Sequence, residues 1–350
     1  MPSRTTDLGW LRSPAWDACL LAFGWVPFYL WVAATPIARP DWGDASGSLA
    51  TALVIALGLN FLHRHYVLLL VYGDRESFDE RPRAYILAPI VALLVVASST
   101  LSGLPGAKEV LLGALGTWNV WHVIQQRYGI LRAYAARARG GLETRDAAAH
   151  DFRLLWSAVL LTLPIVLLVR RALFESRPES ARIFAVVGSW LTPPVLTAVL
   201  AACAALFVFA AASWMRTEAS ARPSARLPRY LFLASTFALL GVFVVHGPVV
   251  GYLVFGVAHS VEYLAFVHHF GERKYMGALG PLAARALGDM RRAPLLLAPL
   301  FLAYVFLHAH RFTLAYVTYF STTSTLHYLY DGWIWRLRQP KVAQTLIGYS

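Results

Sequence analysis

Long apolar segments alternate with short polar ones along almost the whole chain. Their lengths are close to the roughly 20 residues that a helix needs to cross about 30 Å of hydrocarbon. A span in lipid must satisfy its backbone hydrogen bonds internally, so each apolar segment predicts a helix. The sequence therefore predicts an all-α, polytopic transmembrane helical bundle of about ten spans, forming a single integral membrane domain over residues 1–350. The predicted spans are 15–34, 48–72, 84–103, 109–134, 152–169, 187–214, 229–246, 248–269, 294–310 and 312–335.

Two of the predicted boundaries divide a nearly continuous apolar run. The run from 295 to 335 is interrupted only by the polar segment 308–311. The run around residue 247 is interrupted only by Gly247-Pro248. Gly and Pro favour turns, so we predict that one span ends and another begins there.

Basic residues are distributed unevenly among the segments that connect the spans. The segments 73–83, 132–153, 215–229, 271–292 and 335–341 are the longer ones and hold most of the Lys and Arg. Lys and Arg accumulate on the cytoplasmic side of a membrane, so both termini are predicted to face the cytoplasm. Arg170 and Arg171, on the other side, oppose this trend without reversing it. The expected location is the inner (plasma) membrane of a bacterium.

The composition excludes a soluble globular enzyme. Hydrophobic residues make up 58% of the chain and charged residues 14%, against about 25% charged residues in soluble domains. The mean hydropathy is +0.53. A net charge of +12 would suit nucleic acid, but no soluble basic domain is present to bind it. The lipid bilayer, and not nucleic acid, is therefore the predicted partner.

Familiar catalytic motifs are absent from the sequence. Cys19 and Cys203 are the only cysteines, and both lie in apolar runs, which excludes a disulfide framework or a cysteine-based zinc site. The sequence contains no phosphate-binding glycine loop, no dinucleotide fingerprint and no GxSxG nucleophile motif. Any chemistry must therefore come from polar side chains within the spans.

Four of the eleven histidines occupy equivalent positions in their spans. They lie in the later halves of the second, fourth, eighth and tenth spans, each before a basic cytoplasmic end: His63, His122, His259 and His327. A helix rises about 1.5 Å per residue, so their similar distances from these ends predict a similar membrane depth. One histidine in a span more often donates a hydrogen bond to another helix. Four at one depth predict a metal or cofactor site.

Each of these histidines has a polar neighbour three or four residues away, on the same helix face. The neighbours are Asn60, Asn119, Gln126, Glu262 and Asp331. A carboxylate within a span costs roughly 2.5–3.5 kcal/mol or more and normally faces a polar interior. We predict that Glu262 and Asp331 are catalytic carboxylates, acting as ligands or orienting the imidazoles, and that the three amides support the cofactor site. Imidazoles with carboxylates suit one or two iron ions, with manganese or zinc as alternatives.

The remaining histidines are predicted to lie outside this site. His65 follows His63 by two residues and points to a different helix face, joining the site only if the helix turns. His268 and His269 lie near a cytoplasmic helix end, where a solvated or headgroup-facing position is expected.

The set of four histidines with Glu262 and Asp331 resembles the intramembrane histidine sites of non-haem iron membrane oxygenases. That group includes the fatty-acid desaturases and hydroxylases and the Brp/Blh-type carotenoid oxygenases. The resemblance is one of plan and covers four spans, because the desaturase boxes HxxxH and HxxHH are absent. The Brp/Blh arrangement also differs, with a pair of histidines on one helix. The resemblance implies an iron site within the membrane and no particular substrate.

Three functions fit these residues. The first is an enzyme in which iron activates dioxygen to hydroxylate, desaturate or cleave a lipid or isoprenoid, with an electron-donor protein as a partner. The second is a proton-coupled transporter or carrier with a histidine–carboxylate relay, although no inverted repeat is evident. The third is an electron-transfer protein with haem bound by pairs of histidines.

Overall fold

The computed structural model describes residues 9–38, 46–104, 106–139, 145–170, 190–219, 223–275, 282–311, 313–335 and 340–347. Within these ranges the chain is helical and contains no strand. The predicted all-α fold class is therefore confirmed.

Every predicted span overlaps a helix. The helices are α1 (Pro14–Ala22, ending in a π-turn), α2 (Val26–Ala34), α3 (Ser46–Tyr72), α4 (Arg75–Asp79), α5 (Pro82–Leu101), α6 (Ala107–Arg139), α7 (Arg145–Val169), α8 (Pro193–Ala219), α9 (Pro223–His246), α10 (Pro248–Lys274), α11 (Leu282–Leu287), α12 (Ala293–Ala309), α13 (Leu314–Ile334) and α14 (Pro340–Ile347). Both predicted boundaries within apolar runs are present. α9 and α10 are separated by Gly247 alone, whose φ of 83° favours glycine, and α12 and α13 are separate helices.

Seven helices among the described residues are long and apolar enough to cross a membrane: α3, α5, α7, α8, α9, α10 and α12. The number becomes eight if α1 and α2, bent by 45°, form one broken span. α6 and α13, with 33 and 21 residues, are long enough but more polar. The structure is thus consistent with a helical membrane bundle, while the count of ten spans stays a prediction.

Several helices present apolar side chains to their surroundings. Side chains that are more than half exposed include Ile86 and Leu94 on α5, Phe209 on α8, and Leu302 and Phe306 on α12. A surface of this kind would associate in water. Lipid tails cover such a surface without cost, so these faces support a membrane environment.

The chain divides into two compact units, residues 1–53 with 130–258 and residues 54–129 with 259–350. In the first unit, Asp151 of α7 accepts hydrogen bonds from Trp214 of α8 at 2.7 Å and from Arg229 of α9 at 2.8 Å. Arg229 also pairs with Glu218 at 2.7 Å. The second unit contains every residue that the sequence analysis assigns to the site.

Asp74 connects the segment after α3 to the end of α10. Its Oδ1 accepts from the Glu76 backbone at 3.1 Å, and its Oδ2 accepts from Ser77 Oγ at 2.9 Å. The same Oδ2 also accepts from Lys274 Nζ at 2.5 Å and from the Tyr275 hydroxyl at 2.8 Å. One carboxylate therefore joins the ends of two helices that carry site histidines.

This contact predicts a defined dependence of stability on pH. Burial by itself raises the pKa of Asp74, but the hydrogen bonds from Lys274 and Tyr275 and the Lys274 charge outweigh it and hold the pKa below its ordinary value of 3.8. Such a carboxylate stabilises the fold above its unfolded-state pKa, and the contribution is lost as the pH falls through the folded-state value. We expect Asp74→Asn to lower the melting temperature at neutral pH by a few degrees, and the difference from wild type to shrink below about pH 4. Thermal unfolding in detergent measures this, and a difference that is constant down to that acidic range would contradict it.

Candidate metal centre

Four helices of the second unit each bring one histidine to a common buried point. His63 lies on α3, His122 on α6, His259 on α10 and His327 on α13, and each is less than a tenth exposed. Five of the ring pairs have centroids 4.5–6.0 Å apart. These four residues, called the histidine cluster below, are the four that the sequence selected by depth. Their role as metal ligands stays a prediction.

The closest contacts in the histidine cluster join ring nitrogens. Nε2 of His327 lies 3.1 Å from Nε2 of His63 and 3.0 Å from Nε2 of His122. Two groups of donors overlap at His327: the nitrogens of His63, His259 and His327 lie within 4.8 Å of one another, and so do the donors of His122, His327 and Asp331. His327 is therefore the centre of the arrangement.

The spacing of these nitrogens fits the dimensions of a metal site. A metal–imidazole bond is about 2.0–2.1 Å long, so two nitrogens at neighbouring corners of an octahedron lie about 3.0 Å apart. The corresponding separation in a tetrahedron is about 3.4 Å. The 3.0 and 3.1 Å contacts match the octahedral edge. A lone pair binds a single ion, and Nε2 of His327 lies beside the Nε2 atoms of both His63 and His122, so the spacing fits a single ion between these rings.

The hydrogen-bond partners of His63 also leave a lone pair for a metal ion. A neutral imidazole has one N–H and one lone pair. Nδ1 of His63 lies 3.3 Å from the Leu59 carbonyl and 3.0 Å from Ser260 Oγ. The carbonyl only accepts, so a proton on Nδ1 suits it and leaves the Nε2 lone pair directed at His327. Metal-bound histidines typically donate their second N–H in this way. A shared proton satisfies one nitrogen pair at a time, whereas a cation attracts every lone pair at once.

His259 adds buried nitrogens that lack partners. Within the described part of the chain, neither of its ring nitrogens has a hydrogen-bond partner, and the side chain is fully buried. Nδ1 of His327 is also buried without a hydrogen-bond partner among the described residues. A buried polar atom without a partner is costly and calls for an explanation. A metal ion beside His259 would provide one.

Asp331 directs one oxygen at the histidine cluster and uses the other to hold its position. Oδ2 lies 3.5 Å from His122 Nε2 and 3.6 Å from His327 Nε2. Oδ1 accepts hydrogen bonds from the Tyr263 hydroxyl at 2.7 Å and from Trp335 Nε1 at 3.1 Å. Since Asp331 follows His327 by four residues, both side chains leave α13 on one face.

We expect Asp331→Asn to weaken metal binding about 10–100-fold or more while the protein still folds. The amide oxygen would accept from Tyr263 and Trp335, so the NH2 group would point at the histidine cluster and repel a cation. Metal content per chain after purification measures the effect, with the exposed Asp79→Asn as the control. Full retention of metal in Asp331→Asn would remove this carboxylate from the site.

Glu262 has a different partner. It lies one turn after His259 on α10, and its Oε1 forms an ion pair with Arg127 of α6, in which both side chains are buried. Among the described residues, Glu262 belongs to neither group of metal donors. The contact observed for Glu262 is thus a charge pair, and its predicted part in metal binding stays a prediction.

The three predicted amides have unequal relations to the histidine cluster. Asn119 Oδ1 accepts from the Tyr328 hydroxyl at 3.0 Å, and the Tyr328 ring lies 4.8 Å from the His122 ring. Gln126 Nε2 donates to the backbone carbonyl of His259 at 3.2 Å. Asn60 takes part through its backbone carbonyl, which accepts from Arg64 at 3.0 Å. Asn119 and Gln126 therefore adjoin the site through their side chains, and the predicted part of Asn60 in the site stays a prediction.

Sequence reasoning missed two buried arginines, Arg64 and Arg127. Arg64 donates through Nη1 to the Phe320 carbonyl at 2.9 Å and to Ser324 Oγ at 2.6 Å, and its guanidinium carbon lies 3.9 Å above the Phe320 ring. It thereby links α3 to α13 beside His63 and His327. Their positions within apolar spans could have identified both arginines from the sequence, because a charged residue in a span normally faces a polar interior.

The other histidines lie outside the cluster. His65 Nε2 lies 2.6 Å from the Tyr319 hydroxyl, which agrees with its predicted different face. The predicted solvated position of His268 and His269 is wrong, because they are only 1% and 3% exposed. His268 contacts the Tyr66 hydroxyl at 3.1 Å. α10 continues to Lys274, so these residues lie within a packed helix and not at its free end.

Comparison of the chain with models of protein families, with curated proteins and with solved structures found no match.

Proposed function

We propose that the chain is a membrane-embedded, metal-dependent oxidoreductase that holds non-haem iron and acts on a lipid or isoprenoid. The observation that carries the proposal is the convergence of His122, His327 and Asp331. Two histidines and one carboxylate are the donor set typical of non-haem Fe(II) oxygenases. His63 and His259 complete the first coordination sphere or orient it.

The surroundings of the site support a hydrophobic substrate. The cluster is buried in the second unit, in which α5 and α12 present apolar side chains outward, so a molecule dissolved in the bilayer reaches this unit directly. Iron would supply dioxygen activation when bound, and the chain's own residues would hold it and exclude water. Hydroxylation, desaturation and cleavage of a lipid chain all belong to this class. An electron-donor protein is the proposed partner, since dioxygen chemistry needs a source of electrons.

The nitrogen spacing argues against haem. Two axial imidazoles on one haem iron lie about 4 Å apart, with the porphyrin plane between them. The 3.0 and 3.1 Å contacts are shorter than this, so a porphyrin plane does not fit between the rings of these two pairs.

Metal analysis combined with an optical spectrum of the detergent-purified protein tests the proposal. The expected result is iron bound in stoichiometric amount without a Soret band. Lipid extracts of cells expressing wild type or the variant His327→Ala should differ in one class of oxidised lipid. A Soret band would favour haem, and a folded protein without any metal would favour a proton-coupled carrier.

The proposal includes ten spans with both termini in the cytoplasm, because α6 and α13 carry two of the four histidines. For a bacterial source, the proposed location is the inner membrane, since spanning proteins of the outer membrane are typically barrels. A cysteine introduced at Gly140, in a background with Cys19 and Cys203 replaced by serine, should resist an impermeant thiol reagent in intact cells and react after permeabilisation. Equal labelling before and after permeabilisation would reverse the orientation.

A further inference from the structure

Asp331 joins the histidine cluster to two aromatic side chains. Its Oδ2 faces His122 and His327, and its Oδ1 accepts hydrogen bonds from Tyr263 and Trp335. A single carboxylate thus contacts the metal-binding nitrogens through one oxygen and an aromatic pair through the other. The two donors hold the carboxylate in position, and both of their rings can also be oxidised by one electron.

Tyr263 lies directly against the cluster. It is buried, and its ring centroid lies 5.2 Å from the ring of His327, 5.5 Å from that of His63 and 6.4 Å from that of His259. Its hydroxyl donates to Asp331 at 2.7 Å. A phenol that donates to a carboxylate can release its proton at the moment it loses an electron, which removes the cost of forming a buried phenol cation.

Trp335 continues from Tyr263 to the end of α13. Its ring centroid lies 6.2 Å from that of Tyr263, and its side chain is half-buried. The rings of Phe266 and Phe270 pack against its indole with centroids 5.3 and 5.1 Å away. Phenylalanine is much harder to oxidise than tryptophan. Among the described rings outside the histidine cluster that contact Tyr263, Trp335 is therefore the one that can pass an electron onward, and the basic segment 335–341 begins at this residue.

We propose that Tyr263 and Trp335 form a one-electron relay between the metal centre and a reductant in the aqueous phase. The inference rests on the proposed function, because it needs a redox-active metal. Tyr263 would give one electron to an oxidised metal held by the histidine cluster, and its phenolic proton would pass to Asp331 Oδ1. Trp335 then returns an electron to the tyrosyl radical, and the proton returns from Asp331. An external one-electron donor reduces Trp335, so the net result is one electron moved from donor to metal.

Tyr328 is a matched control for this assignment. Its ring is as close to the cluster as that of Tyr263, at 4.8 Å from His122 and 5.7 Å from His327. Its hydroxyl, however, donates to the neutral amide oxygen of Asn119. An amide is a far weaker base than a carboxylate and cannot take the proton. Proximity alone would make both tyrosines oxidisable, whereas the relay selects Tyr263.

Electron paramagnetic resonance of the full-length protein loaded with iron(II) tests the relay. Hydrogen peroxide serves as the oxidant, and samples are frozen at intervals before and after ascorbate is added. Wild type and Tyr328→Phe should show a tyrosyl radical, which Tyr263→Phe should lack at equal iron content. Trp335→Phe should keep the radical but slow its reduction by ascorbate several-fold. Iron per chain is measured for every variant.

The outcomes separate the relay from the proposed function. An unchanged radical in Tyr263→Phe, its loss in Tyr328→Phe, or unaltered reduction in Trp335→Phe with iron bound would overturn the relay alone. A wild-type protein that binds no redox-active metal would overturn both. If Tyr263→Phe loses iron, its missing radical does not test the relay. The rate of radical reduction in Trp335→Phe then tests it, because Trp335 lies farther from the cluster and its replacement should leave the iron bound.

Discussion

His327→Ala is expected to abolish metal binding, with the largest effect of any single substitution in the cluster. Nε2 of His327 lies 3.0–3.1 Å from two other ring nitrogens, and His327 is the residue that belongs to both groups of donors. Removing it breaks both groups at once. Loss of a supporting partner typically costs about 10–100-fold in metal affinity, and loss of a central ligand should exceed that. Metal per chain, measured after purification in detergent, gives the result.

The control for this prediction is His65→Ala. His65 lies on α3 two residues from His63, but it contacts Tyr319 and stands outside the cluster. The variant His65→Ala should therefore retain metal at the wild-type level. His259→Ala removes a ligand from one group only and should give an intermediate loss. If His327→Ala and His65→Ala retain equal metal while both remain folded, the cluster is not the binding site.

The second large effect is expected at the buried pair of Arg127 and Glu262. Arg127→Met leaves the Glu262 carboxylate buried without its partner, which typically costs about 3–5 kcal/mol of unfolding free energy. Replacing both members with apolar residues of similar size is often close to neutral. We therefore expect Arg127→Met to be severely destabilised and the double variant Arg127→Met/Glu262→Met to recover most of the loss. Unfolding titrations in mixed detergent measure both.

Metal content of the double variant tests the role of Glu262 separately. If Glu262 only neutralises Arg127, the double variant should bind metal normally. If Glu262 is also a ligand, as the sequence analysis predicts, the double variant should be stable and depleted of metal. A double variant as unstable as Arg127→Met would show that the cost arises from packing and not from the unpaired charge.

The histidine cluster was predictable because membrane depth is encoded in residue counts. Each histidine lies in the later half of a span, before a basic end, and helical rise converts that spacing into height. Sequence could equally place Glu262 and Asp331 on the same helix faces as their histidines. It could not separate their roles. Both are acids one turn after a histidine, yet Asp331 faces the cluster nitrogens and Glu262 pairs with Arg127.

The different roles of Asp331 and Glu262 depend on the orientation of each helix about its own axis. Arg127 and Glu262 are 135 positions apart in the chain, so no local sequence pattern predicts their contact. The same holds for Arg64 and its acceptors on α13, which are 256 to 260 positions away. Periodicity defines a face on each helix but leaves open which neighbour that face meets. The hydrogen bonds from Tyr263 and Trp335 to Asp331 could likewise be found only from the packed structure.

By itself, the sequence was enough to predict the helical fold class, the apolar surface and the four histidines of the cluster, since hydropathy and rise per residue act along a single helix. Tertiary packing decided which donors converge on His327, which acid faces them and which acid is neutralised by an arginine. Each of these outcomes depends on distances between side chains on different helices. They are set by the packing of whole helices, in which each histidine contributes only a small part of the buried surface.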